Sequence, residues 1–349
     1  MKGKFIIKWF AREALYRSGV FGLYHRLRNR RALTVLMFHR VLPSEDPALA
    51  HADREFTFTL EGFQRVLDFV QRHYHPVSLQ AVTDAMHGKR SLPARPLLIT
   101  FDDGWRDTLT HAMPELQRRK LPALMFVASE AVCSQDEDRW WQDALVAVMA
   151  RPDGKAALCR LAGLEESVAR QPGAEQRLSA WMASQRPEQR RTLIDAAAPG
   201  EWQAVAQRQM LRAADVQSWC DAGLDVGGHG HSHAPLTLVG DAAEELERSL
   251  AYLQDLTSSE PSMSFPHGAV SDALVDAARK AGFGLLFTSV PKLVLLPGEP
   301  SSTPETLGRI HVPENEWTCT EGRISPAMLA TFLFARPIAQ MATHSRTGR

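Results

Sequence analysis

The chain has 349 residues, is 44% hydrophobic and carries 40 basic against 40 acidic side chains, so its formal net charge is zero. That apolar share supports a large core in one big domain or two modest ones, and the balanced charge removes the global field that would draw a chain to nucleic acid. No stretch approaches the roughly 18 apolar residues of a membrane-spanning helix, and Cys133, Cys159, Cys220 and Cys319, scattered without a C-x-x-C pair, read as reduced, buried residues.

Residues 1–32 hold Lys2, Lys4, Lys8, Arg12, Arg17, Arg26, Arg28, Arg30 and Arg31 against a single acid, Glu13, with Ile6, Phe10, Leu15, Phe21 and Leu27 interleaved. Such a basic amphipathic segment either lies on an anionic membrane surface or packs on the domain with its basic face in water. No nucleic-acid module accompanies the charge. The same lysines and arginines interrupt every apolar run before a signal-peptide core forms. A cytoplasmic location is therefore expected, peripheral on the inner membrane face if the segment binds lipid.

From Thr34 strands and helices alternate. Val35 to Phe38 is strand-like, and Thr59 to Tyr74 places Leu60, Phe63, Val66, Leu67 and Val70 at helical spacing behind a Thr cap. Leu97 to Phe101 reads as a strand buried on both faces, followed by a helix from Trp105 to Arg119 and a strand from Ala123 to Val127. Between residues 139 and 212 strand signals vanish, which predicts a helical insertion; Trp140 and Trp141 at its start serve either as core or as a platform for a sugar ring. Alternation resumes with helix Ala213 to Ala222, strand Leu224 to Val226, helix Ala242 to Thr257, strand Ser262 to Phe265 and a helix capped by Ser271 and ended by Gly282. Leu285 to Thr288 and Arg309 to Val312 supply the last strands, and residues 340–349 read as a disordered tail. Repeated β-α units point to a parallel sheet or barrel.

Two loops carry chemistry. Leu97-Leu98-Ile99-Thr100-Phe101 ends in Asp102-Asp103-Gly104, two carboxylates at the C-terminal end of a strand, where parallel α/β folds place their reactive groups. The bland alternative is a turn with solvated carboxylates and Asp107 or Thr108 capping the next helix. Further on, His229, His231 and His233 fall within five positions after a second strand, and His229 and His233 are spaced so that their rings can converge on one ion. One carboxylate with two imidazoles suits zinc, cobalt, nickel or iron.

Thr100-Phe101-Asp102-Asp103-Gly104 resembles the first motif of the polysaccharide deacetylases, the NodB-like carbohydrate esterases, and His229 to His233 resembles their H-x-x-x-H motif. Ser264-Phe265-Pro266-His267-Gly268 is similar to their third motif, Val35 to Val41 to their opening strand, and Leu121 to Val127 to a barrel strand after motif one; the likeness spans about Leu33 to Pro313. The resemblance implies a distorted, incomplete (β/α) barrel of about seven strands, with residues 33–320 as catalytic domain and 321–349 as a C-terminal helix and tail. It implies a divalent metal, zinc first and cobalt or nickel next, on Asp103, His229 and His233, with Asp102 as general base on the attacking water. Adjacent residues at a strand end point apart, which suits that division of labour.

For the general acid the family pattern offers His311, with His39 as a second candidate for the acid or for sugar binding; Phe265, Pro266, His267, Gly268 and Arg309 fall among the substrate-binding positions. Three departures stand out: Gly230 replaces a hydroxyl residue after the first motif-two histidine, so that His231 or Ser232 would fix the loop; the arginine that often opens motif three is absent, a charge Arg309 could supply; and His267 replaces an aromatic, although its backbone N–H could still serve an oxyanion. The expected substrate is an N-acetylhexosamine in a polysaccharide, oligosaccharide or glycolipid precursor. The alternatives are a catalytically silent carbohydrate-binding member of the fold, and an amidohydrolase or esterase for a non-sugar substrate.

Overall fold

Apolar strand residues sort by parity in the computed structural model, which describes residues 2–50, 52–133, 141–200, 209–257, 260–296, 306–311, 313–318, 324–335 and 337–340. Eight strands matter for the site: β1 (Ala32–Phe38), β2 (Pro96–Phe101), β3 (Leu124–Val127), β4 (Asp225–Gly228), β5 (Ser262–Ser264), β6 (Leu285–Thr288), β7 (Leu307–Gly308) and β8 (Ile310–His311). Leu33, Val35, Leu98, Leu124, Phe126, Leu285 and Phe287 share one core, the interior of the sheet. The alternate residues Leu36, Phe38, Leu97, Ile99, Phe101 and Met125 share another with the surrounding helices. Burial on both faces requires a covered sheet.

The strands β1 to β6 pair in parallel in chain order. β7 then pairs with β6, and β8 pairs with β1. Residues 307–311 thus close the ring, and the expected distorted (β/α) barrel is what forms. It has eight strands rather than about seven because Arg309 separates β7 from β8. Helix Leu79–Met86 plugs the N-terminal end of the barrel, its Leu79 N–H donating to Asp225 Oδ2 at 3.1 Å.

Two helices precede the barrel, α1 (Lys2–Arg17) and α2 (Val20–Arg28), and α3 (Leu60–His73) follows β1. Thr59 caps α3 by accepting from Gly62 N–H at 3.0 Å, and Phe63, Val66, Leu67 and Val70 form its buried face, as their spacing predicts. Ser271 and left-handed Gly282 bound helix Asp272–Ala281. Within the insertion, helices Trp141–Ala150, Gly154–Leu161, Ala174–Ala183 and Pro187–Ala197 pack around Leu145, Leu158, Leu178, Met182 and Ile194. Trp141 belongs to that core, 4% exposed with Arg190 over its ring, so it is not a sugar platform. Trp140, Cys319 and residues 341–349 lie outside the described residues, and Gln340, expected in the tail, ends strand Ile338–Gln340.

The helix expected from Trp105 differs in detail. Trp105 bridges to Met210 of the insertion, residues 108–112 form a π turn, and regular α-helix occupies only Met113–Arg119. Asp107 caps nothing; it is 5% exposed and accepts from Arg40 and from Val41 N–H. Tertiary hydrogen bonds to the first turn override the local propensity.

The barrel wall is tight at β4. A Cβ on Gly227 would meet Ser262 Oγ at 2.6 Å and the Phe126 ring at 2.8 Å. Gly227→Ala is therefore expected to destabilise the fold by about 1–3 kcal/mol, read from denaturant unfolding midpoints.

Candidate metal centre and active site

β2 delivers two carboxylates by two different backbone conformations. Asp102 N–H still donates to Phe38 O at 2.9 Å, so Asp102 keeps strand register. Asp103 and Gly104 then turn left-handed, with φ of 78° and 88°. Strand alternation therefore does not separate the two side chains, as the sequence suggested; the left-handed turn does. Asp tolerates that region better than most residues.

The histidine loop leaves β4 with His229 N–H donating to Val127 O at 2.9 Å. Gly230 (φ 70°) and His233 (φ 60°) curl it back. Glu245, from helix Ala242–Leu253, fixes the loop by accepting the His231 and Ser232 N–H groups on Oε2 at 3.0 and 2.9 Å. His231 adds a contact between Nδ1 and Ser129 Oγ at 2.8 Å. These groups hold the loop where Gly230 brings no hydroxyl, and Glu245 was invisible to motif reading.

The loops bring Asp103, His229 and His233 together, all buried, with ligand atoms within 4.8 Å of one another. Asp103 Oδ1 lies 3.0 Å from His233 Nε2 and 3.4 Å from His229 Nε2. Tetrahedral ligands about 2.0 Å from a zinc ion stand roughly 3.3 Å apart. His229 Nδ1 is 2.8 Å from the Ser264 carbonyl, which can only accept, so Nδ1 carries the proton and Nε2 of the neutral ring turns a lone pair to the carboxylate. Two acceptors at that distance require a cation between them, a proton or a metal ion. Burial opposes charge on Asp103, but His233 and then His229 hold its carboxyl well below the ordinary range. Burial likewise opposes charge on His229, yet Asp102 and Asp103 raise its pKa. The donor set, the fixed tautomer and the charge balance fit a divalent ion.

Asp102 answers to a different cation. Arg309 donates Nη1 to its Oδ1 at 2.5 Å and Nη2 to its Oδ2 at 2.7 Å, a bidentate pair inside the barrel. Nη2 also reaches Ser264 Oγ at 2.6 Å, and Nε donates to Thr288 O at 3.3 Å. Burial would raise the Asp102 carboxyl, but Arg309, then His229, bring it below its usual value. Asp102 is thus anionic beside the Asp103, His229 and His233 cluster, 3.8 Å from His229 Nε2.

Trp105 holds the second oxygen of the Asp103 carboxylate. Its indole N–H donates to Asp103 Oδ2 at 2.9 Å, which leaves Oδ1 for the cluster. The Arg40 guanidinium stacks 4.1 Å from the centroid of that indole and donates to Asp107 Oδ2 at 2.8 Å and Gln209 Oε1 at 2.7 Å. None of this support carries a motif signal except the aromatic after Gly104.

His39 and His311 come to the same barrel end. Their rings stand 5.9 Å apart, both against Phe56. Burial and then His39 push His311 down to about 4. In motif three, the His267 ring packs tilted against His233 with centroids 4.7 Å apart, and its Nε2 lies 3.1 Å from His233 O. Pro266 is buried, and left-handed Gly268 leaves no room for a Cβ against Ser289. Two substrate-binding expectations need correction: Phe265 is 1% exposed in the helix-side core, and Arg309, 1% exposed, is consumed by Asp102, so neither side chain can reach a sugar.

A family model described as polysaccharide deacetylase matches residues 89–170. No curated protein sequence matches the chain. Among solved structures, IcaB from Ammonifex degensii aligns with a TM-score of 0.53 at 20% identity, over 87% of this chain and 98% of its own. The Streptococcus pyogenes deacetylase PplD, solved with acetate, gives 0.54 at 15% identity, over 87% and 99%. A polysaccharide deacetylase from Bacillus cereus gives 0.53 at 15% identity, over 87% and 69%. Likeness at this identity speaks for the fold.

Trp105→Phe keeps the ring but removes the donor to Asp103. Zinc affinity, read by chelator competition on the stripped protein, is expected to fall about 10- to 100-fold with unfolding midpoints little changed.

Proposed function

We propose that the chain is a member of the polysaccharide deacetylase family, whose model matches residues 89–170, and acts as a metal-dependent deacetylase hydrolysing the N-acetyl group of an N-acetylhexosamine in a glycan or glycolipid precursor. The observation that carries this reading is Asp102, a buried carboxylate kept anionic by Arg309 and set beside the Asp103, His229 and His233 cluster. A site that only bound sugar would have no use for an ionised base there.

When bound, a divalent ion lowers the pKa of water towards neutrality and polarises an acyl oxygen as a Lewis acid. Asp103, His229 and His233 would hold it, zinc being the first choice for one carboxylate and two imidazoles. Asp102 takes the proton of the attacking water: Arg309 uses one lone pair on each oxygen, and the others remain free. The leaving nitrogen then needs a proton, a task that falls to the His39 and His311 pair. His311, held down to about 4 by burial and then His39, takes up a proton from solvent as negative charge develops on the substrate beside it, and passes that proton to the leaving nitrogen. His267 lines the mouth beside His233, where a sugar would lie.

The test combines metal content with acetate release from N-acetylglucosamine oligosaccharides and lipid-linked sugars. Wild type is expected to hold one equivalent of metal, lost in Asp103→Ala and His229→Ala, whereas Asp102→Asn keeps the metal and loses about 10²- to 10⁴-fold in kcat. Acetate release undiminished by Asp102→Asn would sink the assignment.

Arg309 also sets a pH dependence. The folded Asp102 pKa is depressed, so its ionised form persists as pH falls. Arg309→Met leaves burial without its counterion, so the pKa rises and the acidic limb of the pH–rate profile moves to higher pH. Arg309→Lys, which keeps the charge but not the fork, is expected to recover part of that displacement.

A further inference from the structure

Amphipathic surface helices ordinarily turn their apolar stripe to the core. In α2 the residues Val20, Leu23, Tyr24 and Leu27, spaced i, i+3, i+4 and i+7, form one stripe, and it faces outward: they are 51, 59, 44 and 75% exposed. The opposite side supplies the anchor. His25 is buried, stacked on Phe334 at 4.0 Å with Nε2 3.2 Å from His73 O, and Asn29 donates to Phe334 O. Gly19, left-handed at φ 79°, joins α2 to α1, where Phe10 and Leu15 are also exposed, at 62 and 40%. Among the described residues, six of the ten large exposed apolar side chains therefore lie on these two helices.

The same surface is cationic. Arg17, Arg26, Arg30 and Arg31 are exposed around the stripe, and the one acid of the segment, Glu13, is already paired with Arg17 at 2.7 Å. Lys2, Lys4 and Lys8 add charge in sequence to the same end of the chain. We propose that the outward face of α1 and α2 docks the protein on an anionic phospholipid bilayer, with Leu23, Tyr24 and Leu27 in the headgroup boundary and the arginines on lipid phosphates. A protein partner would call for a mixed or acidic complement to a fixed shape, whereas a shallow apolar stripe ringed by one sign of charge suits a fluid anionic surface. No described helix is long and apolar enough to cross a membrane, so contact is peripheral. α2 leads into the N-terminal end of β1, opposite the ends that carry the metal ligands, so lipid contact there leaves the mouth of the site open.

The test is flotation of the full chain with phosphatidylcholine vesicles, with and without phosphatidylglycerol, at low and high salt. Binding is expected only with phosphatidylglycerol and to fade with salt. Arg26→Gln, Arg30→Gln and Arg31→Gln together should lower the partition coefficient about 100-fold, at about fivefold per charge. Leu23→Ser with Leu27→Ser should lower it about tenfold per leucine without removing charge. These positions are exposed, and circular dichroism with thermal melts confirms that the variants fold. Failure of the folded wild type to float with either vesicle, indifference to phosphatidylglycerol, or a dimer in solution that Leu23→Ser and Leu27→Ser dissociate would each overturn the proposal, the last by showing that a second copy covers the face.

Discussion

Two consecutive carboxylates buried at one strand end constrain everything around them. Asp102 and Asp103 are 2% and 6% exposed, and removing even one carboxylate from water costs several kcal/mol unless a cation and hydrogen bonds answer it. The structure answers each one separately. Arg309 faces Asp102, and the imidazoles, with the cation they require, face Asp103. That separation would divide the chemistry, because Asp103 is engaged by the imidazoles while Asp102 keeps free lone pairs. It also explains how the barrel closes: residues 307–311 must bridge β6 and β1 and, between two short pairings, send a guanidinium inward over Phe126.

The insertion is joined to this arrangement by backbone as well as by side chains. Arg106 N–H donates to Gln209 O at 2.7 Å and Leu211 N–H to Gly104 O at 2.9 Å, on either side of the Trp105–Met210 bridge. The indole is thereby pinned between the insertion core and Arg40 while its N–H rests on Asp103. A change in the insertion would reach the Asp103 carboxylate through one aromatic ring, so the helices are coupled to the cluster as well as extending the surface.

What the sequence revealed follows from range. Strand parity, the Thr59 and Ser271 caps, the Asp102-Asp103 pair and the His229 to His233 spacing are all local patterns, and a single sequence displays them directly. Arg309 meets Asp102 across 207 positions and Arg40 meets Asp107 across 67, and such pairs leave no periodic trace. Glu245 is hidden for the same reason: on its helix it is one acid among several, and only the fold shows that it gathers two loop amides. A motif match says nothing of which way an aromatic turns, and Phe265 turns into the core.

Backbone strain points the same way. Among the described residues, five non-glycine positions have positive φ, and Asp103, His233 and His267 are three of them. Each such residue costs on the order of 1 kcal/mol or more and persists only where its surroundings over-determine it. Here they do: Asp103 is fixed by Trp105, His233 by a loop that Glu245 holds at two amides, and His267 by its contact with the His233 carbonyl. The strain is offset by contacts among the chain's own residues. A site fixed in this way would meet an ion and a substrate with much of its ordering cost already met on folding, which would leave more of their binding free energy for chemistry.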